Sequence, residues 1–306
     1  MQIPEATVLQ LLFSEKEWEY RRQRAVKKHR PQSRMEQRPG QYERIIMHIA
    51  LRIALAASAA LLTLGVAQAQ EKTLKIGTEG AYPPFNNLTS DGQLVGFDID
   101  IAKALCDEMK VKCTFVAQDW DGIIPALQAG KFDAIVASMS ITPERAEKVD
   151  FTHKYYNTPP AIVAPKDSDI KGVSKEDLAG KTIGVQGSTT HFNYSTKTYT
   201  DSTVKPYPTA QEYQLDLANG RLDAANDDIV VLQQWLDSPD GACCKLIGAI
   251  KPVVEIHGPG AGIAVRKGET DLVNQFNAAI DAIRANGKYK EINDKYFKFD
   301  VYGGDS

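Results

Sequence analysis

From Thr73 onward the chain alternates short β-branched runs with amphipathic segments of helix length, and few folds accept that pattern. Such alternation predicts the α/β class, a mostly parallel sheet wrapped by helices. Strands are expected at Thr73–Thr78, Lys112–Val116, Asp133–Ser138, Thr182–Gln186, Val204–Tyr207, Ala224–Asn226 and Gly262–Val265. Helices are expected at Asp98–Met109, Gly122–Ala129, Pro143–Val149, Ala210–Asn219, Ile229–Leu236, Asp271–Asn286 and Lys288–Tyr296. Thr209-Ala-Gln-Glu212 and Ser174-Lys-Glu-Asp177 have the form of capping boxes, and Thr142 followed by Pro143 pairs an N-cap with proline at the first helical position. Gly130, Gly220 and Gly287 fall where helices must stop.

Two polar, Pro/Gly-containing segments interrupt the pattern, Asn157-Thr-Pro-Pro160 and His257-Gly-Pro-Gly260. They bracket roughly 95 residues, the size of one small domain. The implied layout is one α/β unit inserted in another: residues 70–157 and 259–306 form a first lobe and residues 161–254 a second. Hinges are expected near 157–161 and 254–259, about which such a chain closes on a ligand.

Upstream of this body lies an export signal beginning at Met47: Arg52, then an apolar run from Ile53 to Ala67, then Ala67-Gln68-Ala69 in the small-x-small form of a cleavage site. The apolar run is shorter than the roughly 20 residues a spanning helix needs, so residues 47–69 read as a cleaved signal peptide. Residues 1–46 then read as an extension from a mis-assigned upstream start. Residues 1–70 hold 11 Lys and Arg against 6 Asp and Glu, which leaves the remainder with 25 against 33. An acidic body argues against a nucleic-acid or anionic-membrane binder. Export makes the four cysteines eligible for oxidation, with three full pairings possible. Cys106 with Cys113 is the expected bridge, joining a helix to a strand, while adjacent Cys243 and Cys244 are either bridged or both reduced.

Candidate contact residues follow the expected strands, because ligands of open α/β sheets bind at the carboxyl ends of strands. Glu79 and Tyr82, in Gly77-Thr-Glu-Gly-Ala-Tyr-Pro-Pro-Phe85, offer a negative charge and an aromatic face. Trp120 lies between two aspartates and a glycine, a loop setting in which it would stack on a ligand. In Ser138-Met139-Ser140-Ile-Thr142-Pro-Glu-Arg145 a strand ends in hydroxyl residues and a capped helix begins with a cation in its first turn. The helix dipole disfavours that cation, so Arg145 needs an anion. Free amides at the helix start together with the guanidinium make a carboxylate clamp; the alternative is an ion pair with Glu144 or Glu147. Gly184-Val-Gln-Gly-Ser188-Thr189-Thr190 repeats the theme in the inserted unit, suited to anion capture by backbone amides. Asn226-Asp227-Asp228 supplies carboxylates for an ammonium group, or a helix cap. The histidines His153, His191 and His257 are isolated, and no zincin, Cys-x-x-Cys or nucleophile-elbow motif is present, so neither metal, cofactor nor catalysis is expected.

Taken together, these segments resemble the periplasmic substrate-binding proteins of ABC transporters for polar amino acids, in particular the lysine/arginine/ornithine and histidine binding group, which is solute-binding protein family 3. The resemblance runs from residue 73 to 304 and includes Gly96-Phe-Asp-Ile-Asp100, Trp120-Asp-Gly-Ile-Ile-Pro125, Gly220-Arg-Leu-Asp223, Lys295-Tyr-Phe297 and Val301-Tyr-Gly303. It implies a type II periplasmic binding protein fold of two three-layer α/β lobes joined by two crossovers. It also implies a monomer that delivers a cationic amino acid to a permease in the periplasm. By position it implies that Arg145 grips the ligand carboxylate with help from amides at Ser140 and Ser188, within a contact set that includes Met139, Thr189 and Thr190. Asp228 and the Ser138 hydroxyl would take the α-ammonium, Tyr82 and Trp120 would sandwich the side chain, and Glu79 would meet its distal charge. The group has a disulfide at the spacing of Cys106 and Cys113. This chain departs in having Glu79 where the group often has Asp and Thr190 where a longer polar residue is common. Rival expectations are a cyclohexadienyl or arogenate dehydratase on the same fold, an opine binder, or a sensor domain.

Overall fold

The computed structural model describes residues 73–303; the expected signal peptide and the extension before it lie outside the described residues. The chain begins with β1 (Thr73–Thr78), then a small antiparallel sheet of β2 (Ala81–Tyr82), β3 (Asn86–Leu88) and β4 (Leu94–Val95). Helix α1 (Phe97–Glu108) leads into β5 (Lys112–Ala117), and a 3₁₀ turn at Trp120–Gly122 opens α2 (Ile123–Gln128). After β6 (Ala134–Ile135) and the single-turn α3 (Pro143–Ala146), β7 (Val149–Tyr156) completes this part of the first lobe. The chain then crosses over through residues 157–159. The second lobe comprises β8 (Pro160–Pro165), β9 (Thr182–Gln186), α4 (Thr190–Thr198), β10 (Thr203–Tyr207), α5 (Ala210–Ala218), β11 (Ala224–Asp228), α6 (Ile229–Leu236) and β12 (Cys244–Ala249). Residues 250–260, which include α7 (Val254–His257), lead back to β13 (Ala261–Arg266), α8 (Thr270–Ala285) and α9 (Lys288–Tyr296).

Each lobe is built on a five-stranded sheet, β5-β1-β6-β13-β7 in the first and β10-β9-β11-β8-β12 in the second. In both, strands that alternate with helices pair in parallel, β1 with β5 and β6, and β9 with β10 and β11. In each sheet one strand beside a crossover runs antiparallel to both its neighbours, β13 between β6 and β7 and β8 between β11 and β12. The buried positions of α8, Phe276, Ala279, Ile280 and Ile283, form the i, i+3, i+4, i+7 stripe that seats a helix on a sheet. Val301 O accepts from Asn157 N at 2.8 Å, tying the first crossover to the segment after α9.

Several expected elements are corrected. The strand at 133–138 shrinks to Ala134–Ile135: Ser138 takes a left-handed conformation, φ 54°, and beyond it only an isolated bridge of Ser140 to Ala261 continues the pairing. The helix at 143–149 stops at Ala146, since Val149 opens an eight-residue strand. Ser174 and Asp177 do bond to one another, but they close a turn and no helix follows. Strands β7, β8 and β12, the small sheet and α4 were not expected as such. Thr209 and Glu212 form the anticipated capping box, and Thr142 accepts from Arg145 N at 3.3 Å.

Cys106 and Cys113 are bonded, joining α1 to β5, and Cys243 is bonded to Cys244. The first bridge closes a short loop of sequence separation 7, for which chain entropy gives a stabilisation of about 2–3 kcal/mol. The Cys106→Ala/Cys113→Ala variant is expected to lose about that much in urea unfolding. A loss below about 0.5 kcal/mol would show that the bridge adds nothing.

Candidate functional site

The carboxyl ends of β1, β6, β9 and β11 all open onto one crevice, and these four ends carry nearly all the residues singled out above. A narrow cavity between the lobes is lined by Glu79, Tyr82, Trp120, Ser138, Ser140, Arg145, Gln186, Thr189, Thr190 and His191, with Ala137. Met139 is fully buried in the apolar core of the first lobe and lines a neighbouring outer cavity instead. Ser188 also faces that outer cavity. Asp228 lines a polar compartment on the crossover side, with Thr158, His191 and His257.

Arg145 is the central cation. Its Nη1 donates to Ser140 O at 3.0 Å and its Nη2 to Ser188 O at 3.2 Å, so the guanidinium spans the two lobes. It lies over the Trp120 ring, 5.1 Å from the centroid, and Trp120 Nε1 donates to the same Ser188 carbonyl at 3.1 Å. None of the ion pairs among the described residues includes Arg145, so the alternative pairing with Glu144 or Glu147 does not form. Burial pulls its pKa down to about 10, against a weak opposing pull from Glu144. A desolvated guanidinium held only by carbonyls retains most of its appetite for an anion.

Glu79 presents the opposite charge. It is 9% exposed, and its Oε1 accepts from Gln186 Nε2 of the second lobe at 2.6 Å. Burial pushes its carboxyl up to about 7, and the Gln186 bond opposes that rise. The Tyr82 hydroxyl reaches across to Asp227, which also accepts from Tyr213 at 2.5 Å and from its neighbour's amide, Asp228 N, at 2.7 Å. Asp228 caps α6 through Val230 N at 2.8 Å and accepts from the Thr158 hydroxyl; burial pushes its carboxyl up to about 7. Both readings of the aspartate pair therefore hold in part: Asp228 is a helix cap and also faces the crevice.

On the second lobe Thr189 caps α4, accepting from Phe192 N at 3.0 Å and donating to Gln186 O at 2.7 Å. Ser188, with φ 58°, turns its carbonyl toward Arg145 and Trp120. Sequence reasoning named Asp227 beside Asp228 as a carboxylate for an ammonium group, missed Gln186 and Thr158, and treated His191 and His257 as isolated. Their rings are 6.2 Å apart, and His191 Nε2 lies 3.4 Å from Asp227. Both imidazole pKa values are lowered by burial, that of His257 to about 4. For Gln186 a signal existed, since it ends the strand before Gly187, as Thr78 does before Glu79. The histidine pair had none, because the two residues meet only when the second crossover returns.

Two α/β lobes, two crossovers and a closed crevice with separate cationic and anionic poles define a type II periplasmic binding protein. The match of residues 74–299 to the model of bacterial extracellular solute-binding proteins, family 3, places the chain in that family. An L-arginine-binding protein of Pseudomonas aeruginosa is 48% identical over 256 residues, covering 82% of this chain and 98% of that protein. The histidine-binding periplasmic protein of Escherichia coli K12 is 35% identical over 265 residues, covering 86% and 100%. Among solved structures, an ancestral arginine-binding protein bound to arginine superposes with a TM-score of 0.68 at 40% identity, covering 74% of this chain and 98% of the other. An ancestral amino-acid-binding protein described as a precursor of cyclohexadienyl dehydratase gives 0.66 at 35% identity, covering 74% and 96%.

Proposed function

We propose that this chain is a periplasmic receptor that closes its lobes on a cationic L-amino acid, arginine, lysine, ornithine or histidine, and passes it to an ABC permease. The observation that carries this is one interlobe cavity holding both a guanidinium and a buried carboxylate, neither of which has an oppositely charged partner among the described residues. A zwitterion with a charged side chain satisfies both groups at once. Its carboxylate meets Arg145 and the first-turn amides of α4, its ammonium meets Ser138 and the Asp227–Asp228 pair, and its side chain runs between Tyr82 and Trp120 to Glu79. Each charge-assisted bond contributes about 1.5–3 kcal/mol, so three or four offset the lost freedom of the ligand. Closing the lobes excludes water and strengthens each bond. Flexing at residues 157–161 and 254–259 opens the crevice, and a signal peptide at 47–69 delivers the chain across the membrane as a monomer.

A thermal-shift panel tests the reading. A ligand at 100 times its Kd adds about 2.7 kcal/mol of stability, so basic L-amino acids are expected to raise the melting point by several degrees while leucine and aspartate do not. A flat panel would sink the proposal. The dehydratase reading draws on the Glu79 carboxyl, which at about 7 is poised to donate a proton at neutral pH. It requires turnover of arogenate or prephenate, and we expect both to be recovered unchanged.

A further inference from the structure

We infer that Asp98 is a positioning residue that fastens the two binding loops of the first lobe, Glu79–Tyr82 and Ser138–Ser140, to one another. The inference rests on the amino-acid-binding reading above for what those loops hold. Asp98 sits in the first turn of α1, fully buried, and does not line the central cavity. Its Oδ2 accepts from Asn86 Nδ2 at 2.8 Å and from Ser138 Oγ at 3.0 Å, and its Oδ1 accepts from Tyr155 Oη at 2.7 Å. Each partner reaches a binding loop. Asn86 Oδ1 accepts from Gly80 N at 2.7 Å, next to Glu79, and Tyr155 Oη accepts from Ser138 N at 2.9 Å. One carboxylate thus holds the loop after β1 through an asparagine, and the loop after β6 both directly and through a tyrosine.

Two further observations favour this role over simple core filling. The neighbours Phe97, Ile99 and Ile101 are all fully buried and apolar, so an apolar residue would be the less costly choice at position 98. Burial drives the Asp98 carboxyl up to about 6 even with three donors pulling it down. Ser138 keeps a left-handed backbone, φ 54°, that a non-glycine residue holds only where its surroundings over-determine it. The bonds from its N–H to Tyr155 and from its hydroxyl to Asp98 supply that constraint. The start of α1 is also pinned to the first loop, with Phe97 N donating to Pro84 O at 3.0 Å and Asp98 N to Phe85 O at 2.8 Å.

The test is an exchange of partners. Asp98→Asn sets an amide donor against the Asn86 amide, and adding Asn86→Asp restores a donor–acceptor pair while Gly80 N keeps its acceptor. Calorimetry with L-arginine is expected to give at least a tenfold loss of affinity in Asp98→Asn and recovery to within threefold of wild type in the double variant. In the ligand-free proteins, the backbone amide resonances of Gly80 and Ser138 should move together in the single variant and return in the double. A folded single variant that binds within threefold of wild type overturns the inference, as does a loss that the double variant leaves uncorrected. Should Asp98→Asn not fold, Tyr155→Phe removes the hydroxyl between Ser138 N and Asp98. A weaker affinity with a displaced Ser138 resonance is then expected, and unchanged binding would overturn the role. A wild-type protein that takes up no basic amino acid refutes the binding reading, and in that event the two amide resonances still decide whether Asp98 couples the loops.

Discussion

Arg145→Met is expected to abolish measurable binding of every amino-acid ligand, with a loss of about 3–5 kcal/mol, or more than a hundredfold in Kd. Among the described residues the guanidinium is the one Lys or Arg cation lining the central cavity, and its two Nη atoms already bridge Ser140 of one lobe and Ser188 of the other. Methionine fills similar space against Trp120 but leaves a ligand carboxylate desolvated with only amides to meet it, the Ser140 carbonyl without its guanidinium donor and the Ser188 carbonyl with Trp120 Nε1 alone. Because the carboxylate is common to all α-amino acids, the loss should be the same for arginine, lysine and glutamine. Arg145→Lys keeps the charge but not the fork that contacts both carbonyls, so its affinity should fall between the two. Titration calorimetry, with the melting point of the ligand-free variant as a control for folding, reads the effect. Affinity within threefold of wild type would mean that the carboxylate is held elsewhere.

The parts legible in the sequence were those written in local chemistry. The alternation of strands and helices, the Thr142 and Thr209 caps, and the loops after β1, β6, β9 and β11 all follow from residue types a few positions apart. What escaped depends on parts of the chain that meet only on folding. Gln186 finds Glu79 across 107 positions, Tyr82 finds Asp227 across 145, and His257 reaches His191 by way of the second crossover. Met139 shows the converse error: it stands between two serines that face the crevice, but the turn at Ser138 sends its side chain into the core. The run Val149–Tyr156 was passed over because a charged, aromatic sequence that is half polar resembles a loop until β13 pairs with it.

Glu79→Gln is expected to trade specificity for stability. The variant retains an oxygen to accept from Gln186 Nε2 and loses only the charge. Without that charge a basic ligand brings a cation into the cavity with nothing to balance it, so arginine and lysine should lose at least about 2 kcal/mol relative to glutamine. The stability effect has the opposite sign. Burial raises Glu79 from its ordinary 4.5 to about 7, so its protonated form favours the ligand-free closed protein. That advantage is complete below pH 4.5 and lost as the pH rises through 7, where the carboxylate must ionise in a closed crevice. Glutamine never ionises. The variant should therefore match wild type in thermal melting at pH 4 and exceed it at pH 8, with an upper bound on the order of 3 kcal/mol set by the shift. Saturating arginine should reverse the order at pH 8, since only wild type turns the buried charge into a bond. If the variant still prefers arginine over glutamine by the wild-type margin, the distal cation is recognised by some group other than Glu79, and the assignment of the ligand as basic loses its support.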